Sequence, residues 1–280
     1  MFMSENQQLL DLALRVGKKA AELLSARPDI LEVSTKSSDV DIVTQMDKAS
    51  EALIVSSILA ERPDDGIIGE EGADRKSTSG ITWVIDPLDG TVNYFYGIPG
   101  WNVSIAAKDK DGVVAGVVVS PTLNSTWWAT RGGGSFHNGK KLTCNDPVEL
   151  NRTMLATGFA YEPAKRALQL DFINKLLPDI RDIRRNGAAA VDLCFVGSGN
   201  VDAYFEGAPT NWKLDVGDLQ DQNFDSEFDR VILDMLAPWE CVDIAARALR
   251  PGGVFMSYVA TTTQLSATAE AIKEDGRFTE

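Results

Sequence analysis

Histidine is almost absent: His137 is the only one in 280 residues. A catalytic triad or an imidazole-based metal site has nothing to draw on, so any metal should be a hard cation held by oxygens. Cysteine is scarce as well. Cys144, Cys194 and Cys241 are odd in number, widely spaced and free of a CxxC pair, which argues against a disulfide framework or a zinc knuckle. Cys194, in the run Val191-Asp-Leu-Cys-Phe-Val196, reads as packing. No apolar run reaches the roughly 18 residues that span a bilayer. The start Met1-Phe-Met-Ser-Glu has neither the basic residues nor the apolar stretch of a secretory leader, so the expected location is cytoplasmic. Basic residues are outnumbered, 27 against 41 acidic, for a net charge of −14. That balance opposes polyanions at long range, so neither nucleic acid nor a membrane is an expected partner.

A hydrophobic fraction of 44% is ample for a core and excludes disorder. Leu9, Leu12, Ala13, Val16, Ala20, Leu23 and Leu24 recur at helical spacing and predict a helix over 5–25. A second helix is predicted from Asp47 to Glu61, with Ala49, Leu53, Ile54, Ser57 and Ile58 on one face. Strands are predicted at 41–44, 66–69, 82–85, 102–107, 112–120, 125–130 and 202–206, and helices at 164–177 and after Asn186-Gly-Ala-Ala-Ala190. Beyond residue 207 the pattern becomes strand (229–236), helix (239–249), a Pro251-Gly-Gly turn and strand (254–259), a unit of parallel-sheet type.

Acidic residues gather at the ends of these elements: Asp47, Glu70-Glu71 and Asp86-Pro-Leu-Asp89, the last followed by Gly90-Thr91. Strand ends are where open α/β structures place ligands. Carboxylates converging with no basic residue inside the motifs become tolerable by sharing divalent cations. Proline at 87 fixes one backbone angle, so the Asp86 and Asp89 carboxylates and the Leu88 carbonyl can face one point. Gly90-Thr91 then opens a helix whose free N–H groups would hold a phosphate. Together these suggest metal-assisted hydrolysis of a phosphoester. Glu71 and Asp74 read as solvated loop residues. Asp47 reads as a helix cap or as a site residue, and both remain open.

Gly69-Glu70-Glu71, Trp83-Val-Ile-Asp-Pro-Leu-Asp-Gly-Thr-Val-Asn93, Tyr96-Gly-Ile-Pro-Gly-Trp-Asn-Val-Ser-Ile105, Arg185-Asn-Gly-Ala-Ala-Ala-Val-Asp-Leu-Cys194 and Asp202-Ala-Tyr-Phe-Glu206 resemble the inositol monophosphatase family, its SuhB-type members in particular. The resemblance covers about residues 5 to 206. It implies a layered α/β (α+β) sandwich of the lithium-sensitive, magnesium-dependent sugar phosphatase type. By resemblance, Glu70, Asp86, the Leu88 carbonyl and Asp89 bind Mg²⁺, Thr91 and Glu70 orient the attacking water, and Asp47 buttresses Thr91. Gly90 and Thr91 hold the phosphate, while Gly187, Ala189 and Glu206 meet the inositol ring. The implied substrate is a small phosphorylated polyol such as myo-inositol 1-phosphate. Histidinol-phosphate, fructose 1,6-bisphosphate and a nucleotide 3′-phosphate are alternatives. The implied assembly is a homodimer, and SuhB-type members also suggest a non-catalytic regulatory role.

The pattern breaks after Glu206. Trp212 stands where the family has Trp-Asp, but Lys213 follows in place of the second-metal aspartate, and Asp215 is off the motif position. A cation there would repel a metal. Asn211-Trp-Lys-Leu-Asp-Val-Gly-Asp218, Asp229-Arg-Val-Ile-Leu-Asp-Met-Leu-Ala-Pro-Trp239 and Arg250-Pro-Gly-Gly-Val254 resemble part of an actinobacterial tRNA 1-methyladenosine methyltransferase, lacking its cofactor loop. Asp234 would be that family's residue near the target base, without activity here. The expected organisation is a truncated phosphatase-like domain over 1–206 and a Rossmann-like fragment over 207–280. The incomplete half is expected to leave apolar surface bare.

Overall fold

A computed structural model of the chain describes residues 4–36, 41–206, 228–234, 237–258 and 262–278. Helix α1 (Glu5–Ser25) opens at Ser4, whose hydroxyl accepts from the Gln7 N–H. Its buried stripe of Leu9, Leu12, Ala13, Val16, Ala20 and Leu24 has the predicted spacing. Strands β1 (Val33–Thr35) and β2 (Ile42–Thr44) pair antiparallel and lead into α2 (Gln45–Glu61). Thr44 and Asp47 form a capping box at its start. The face predicted for α2 needs correction: Ala49 is exposed, and the buried side is Met46, Asp47, Ser50, Glu51, Ile54 and Ile58. Half of that face is polar because it serves neighbouring loops. Ser50 donates to the Pro87 carbonyl, and Glu51 accepts from the Glu71 and Ala73 N–H groups.

The main sheet follows: β3 (Gly66–Gly69), β4 (Asp74–Arg75), β5 (Thr82–Asp89), then helix α3 (Thr91–Tyr96), β6 (Asn102–Asp109), β7 (Gly112–Ser120), β8 (Ser125–Thr130), β9 (Gly134–His137) and β10 (Lys140–Lys141). Its order is β10-β9-β8-β7-β6-β5-β3-β4, antiparallel except where β3 runs parallel to β5. One face packs on α1 and α2 around Trp83, Ile85, Val103, Ile105 and Val117. The second layer contains β11 (Met154–Thr157), α4 (Pro163–Leu176), β12 (Asp182–Arg184), α5 (Ala189–Gly197) and β13 (Ala203–Phe205), with β12-β11-β13 a parallel sheet. Ala188 and Val191 at the start of α5 lie over Val118 and Trp127 on the other face of the main sheet. Beside α5 that face stays partly open, with Ile68 44% and Val84 37% exposed, and Leu193 on α5 itself is 55% exposed. The architecture is an α/β sandwich of mixed sheet and helices.

The chain divides into two compact units, Met1–Thr210 and Asn211–Glu280. In the second, β14 (Phe228–Asp234) pairs parallel with β15 (Leu249–Tyr258), and α6 (Val242–Ala248) makes the crossover, as the strand–helix–strand pattern predicts. A final helix, α7, spans Thr262–Asp275. Pro251-Gly-Gly253 is no turn: β15 runs through it. A register shift opposite Phe228 and Arg230 accommodates it, and among the described residues the sheet has two strands, which leaves the proline an edge to occupy. Asp234 closes β14, and its side chain lies outside the described residues, as do Trp212, Lys213 and Asp215. Among the described residues no helix is long and apolar enough to cross a membrane.

Candidate active site

Strand β5 carries Trp83, Ile85 and Leu88 into the core and leaves Asp86 and Asp89 at its end. The Asp86 carboxylate accepts from the Leu88 N–H at 3.1 Å, which folds the Asp-Pro-Leu-Asp segment back on itself. Gly90 then turns with φ 84° and opens α3 with no side-chain cap. Its lack of a Cβ is also a packing need, because one would sit 3.1 Å from the Ala188 Cβ and 3.2 Å from the Gly187 carbonyl. Gly187, at φ 84°, is tighter still: its Cβ would stand 2.7 Å from Asn93 Oδ1. The contact is fixed by Asn93 Nδ2, which donates to the Asn186 carbonyl at 2.7 Å.

These turns enclose a cavity of 190 Å³. Glu70, Asp86, Leu88, Asp89, Gly90, Thr91, Gly187, Ala189 and Glu206 all line it, so nearly every sequence-predicted site residue meets in one place. Asp47 is the exception; it is fully buried behind Thr91. Its Oδ2 takes the N–H (2.8 Å) and hydroxyl (2.6 Å) of Thr44, and its Oδ1 takes the Thr91 hydroxyl at 2.9 Å. The two readings of Asp47 are therefore one arrangement: it caps α2 and supports Thr91. Thr91 Oγ1 also lies 3.0 Å from the Leu88 carbonyl. Asp89 accepts from Asn102 Nδ2 and the Ala190 N–H, both at 2.8 Å, and from the Ala189 N–H at 3.2 Å. It thus binds the start of α5, where backbone N–H groups favour an anion. Ala189 lines the cavity, but its N–H is already spent on Asp89.

Burial of carboxylates is the dominant electrostatic feature, and at Asp86 like charges add to it. Burial, then the Glu70 and Asp89 carboxylates, push Asp86 up to about 9. Burial raises Asp89 against the pull of Asn102 and two backbone N–H groups. Asp47 is also raised by burial, opposed by the donors from Thr44 and Thr91.

Lys36, which sequence reasoning missed, is the cation brought to this cluster. Its Nζ lies 2.9 Å from Glu70 and 2.5 Å from Glu71. Burial opposes its charge, yet the two carboxylates outweigh that and raise it. Glu71 is not the solvated residue the sequence suggested: its side chain is 5% exposed. Nothing in spacing marks Lys36; the only clue was that the acidic motifs held no counter-charge of their own. Tyr161, Arg185, Asp192 and Tyr204 also line the cavity and were not singled out.

Among the described residues no three His, Cys, Asp or Glu side chains are drawn close enough to hold a metal. Glu70 turns to Lys36, and Asp89 faces α5. The donor chemistry nonetheless suits a hard divalent cation: carboxylate and carbonyl oxygens only, with Asp86 raised by burial and then by neighbouring carboxylates whose repulsion a cation would offset.

Residues 5–217 match the model of the inositol monophosphatase family. The chain belongs to that family. Among inositol monophosphatase relatives, the "Nus factor SuhB" of Pasteurella multocida is 41% identical over 216 residues, covering 75% of this chain and 80% of its own. The "Inositol-1-monophosphatase" of Mycobacterium leprae is 41% identical over 197 residues, 67% of each chain. The crystal structure of the extragenic suppressor protein suhB from Bartonella henselae superposes with a TM-score of 0.67 at 30% identity, over 71% of this chain and 78% of that one. None of these three matches extends over the whole of this inositol monophosphatase family chain.

Proposed function

We propose that this chain is a Mg²⁺-dependent phosphomonoesterase acting on a small polyol phosphate such as myo-inositol 1-phosphate. The observation that carries the reading is the Thr91 hydroxyl at the cavity wall, hydrogen-bonded to buried Asp47 and beside Asp86. With its proton given to Asp47 or to the Leu88 carbonyl, Thr91 Oγ1 offers lone pairs to the cavity. It can accept from a water and aim that water's oxygen at phosphorus, with Glu70 as the second acceptor. The N–H groups of Gly90 and Thr91 hold the phosphate oxygens. Glu206, Gly187 and the Ala189 region receive the alcohol half of the ester.

Glu70, Asp86, the Leu88 carbonyl and Asp89 would hold Mg²⁺, with Lys36 giving up Glu70. When bound, the metal supplies neutralisation of the charge that builds on phosphate and leaving oxygen. Thr91 spends its proton on Asp47 or the Leu88 carbonyl and so meets the water as an acceptor, and no covalent phosphoenzyme is expected. Lys213 in place of the second-metal aspartate makes the activity weak, and the segment beyond the family match, which ends at residue 217, is of separate origin. Phosphate release from myo-inositol 1-phosphate, with and without Mg²⁺, tests the reading; no release at any Mg²⁺ concentration sinks it. Lys213→Asp should raise the rate and sharpen the metal titration. No gain would place the deficit elsewhere in the C-terminal segment.

The Nus factor name of the P. multocida relative favours a second reading, a binding role in place of catalysis. Under that reading Asp86→Asn leaves the cellular role intact.

A further inference from the structure

One wall of the cavity is the loop Gly158–Ala160, between β11 and α4. It lacks regular backbone pairing, so side chains must set its shape. Gln169, on α4, does so from a position with no solvent exposure. Its Oε1 accepts from the Ala160 N–H at 2.8 Å, and its Nε2 donates to the Gly158 carbonyl at 3.3 Å. Both ends of one buried amide therefore clamp the two ends of the loop. Arg166 Nε adds a bond to the Ala160 carbonyl at 3.0 Å, and fully buried Thr157 donates to the Phe205 carbonyl at 2.8 Å.

The object so positioned is the Glu206 carboxylate. A Cβ on Gly158 would stand 2.6 Å from Glu206 Cδ, so the bare glycine backbone is the seat of that carboxylate. On another side the Tyr204 hydroxyl donates to it. Gly158 lines the cavity, and Gln169 acts on it from behind that wall.

We infer that Gln169 is a positioning residue for substrate recognition. By fixing Gly158 it sets where Glu206 presents its oxygens, and a carboxylate there accepts from hydroxyls on the alcohol half of the ester. The inference rests on the phosphatase reading above and adds what reads the polyol. Gln169 then governs discrimination between hydroxyl-bearing and plain esters, not the chemical step.

The test compares kcat and KM for myo-inositol 1-phosphate and p-nitrophenyl phosphate in wild type, Gln169→Met, Gly158→Ala and Tyr204→Phe. The second ester carries no alcohol hydroxyl for Glu206. Loss of one charge-assisted contact predicts about a tenfold fall in the ratio of the two kcat/KM values, carried by KM of the polyol ester. Gly158→Ala, which leaves the amide clamp intact, should move the ratio the same way. An equal loss on both esters, or no loss on either, overturns the inference and leaves Gln169 a structural residue. Should Gln169→Met lack a cooperative melt, Gly158→Ala and Tyr204→Phe decide by the same ratio. A wild type inactive on both esters refutes the phosphatase reading instead. Calorimetric binding of myo-inositol 1-phosphate then applies the same comparison, and equal affinity of wild type and variants overturns the inference.

Discussion

Asp47→Asn separates a helix cap from a catalytic support. The carboxylate takes two donors from Thr44 on one oxygen and the Thr91 hydroxyl on the other. Asparagine can keep the Thr44 pair with its one oxygen, which preserves the capping box. Its amide then faces Thr91 Oγ1 as a donor. Thr91 must turn its own proton to the Leu88 carbonyl, already 3.0 Å away, and one lone pair that should face the water is consumed. A hydrogen bond to a charged acceptor is worth roughly 1.5–3 kcal/mol, and the Leu88 fallback returns part of it. Removing the charge also relieves the burial cost that raises Asp47. The expected net destabilisation is about 1 kcal/mol, or some 2–4 °C in Tm for a domain of this size. Misorienting the water should cost kcat about 10²-fold with KM little changed. Thr44→Ala is the control, since it weakens the cap and leaves Thr91 bonded; it should lower Tm similarly and spare kcat. Melting curves and steady-state phosphate release measure both. If Asp47→Asn lowers Tm while kcat stays within a factor of about two, the catalytic argument is wrong and Asp47 is a cap alone.

Gly187→Ala should cost more than about 1 kcal/mol and lower phosphate release, because φ 84° and the nearby Asn93 side chain both exclude a methyl group; chemical denaturation and kinetics check it. Thiol titration of the native protein should find one fast cysteine, exposed Cys144. Cys241 is buried, and burial pushes Cys194 up to about 12, so all three react only in denaturant. Asp202 sits below the ordinary carboxylate range because the Met154 N–H and Asn145 Nδ2 donate to it. Its stabilisation is therefore present above the unfolded value near 3.8 and is lost as pH falls through the lower folded value. The Tm gap between wild type and Asp202→Ala should be open at pH 7 and close in strong acid.

The site was legible where the chemistry is local. Asp86-Pro-Leu-Asp-Gly-Thr91 announces itself because a buried strand runs directly into two carboxylates and a glycine turn. Helix α1 was legible because its buried face is apolar throughout. Helix α2 was not, since Ser50 and Glu51 occupy its inner face to bond loop backbone, and an apolar template rejects them. Lys36 and the Asp89 bond to α5 join residues 34 and 101 positions apart, a separation at which one sequence carries no pattern. Pro251 misled in the other direction: it breaks a central strand, but among the described residues β15 pairs with β14 alone.

The central claim is that Glu70, Asp86 and Asp89 are gathered for a cation. Thermal melts of wild type and Asp86→Asn, at pH 7 with and without Mg²⁺, test it most directly. Asp86 is raised to about 9 in the folded state, so without metal its burial disfavours folding increasingly as pH rises from the ordinary carboxylate range. Asp86→Asn should therefore melt higher than wild type without metal. Added Mg²⁺ should raise the wild-type Tm and leave the variant's unchanged. A Tm that Mg²⁺ raises equally in both, or in neither, would contradict the account.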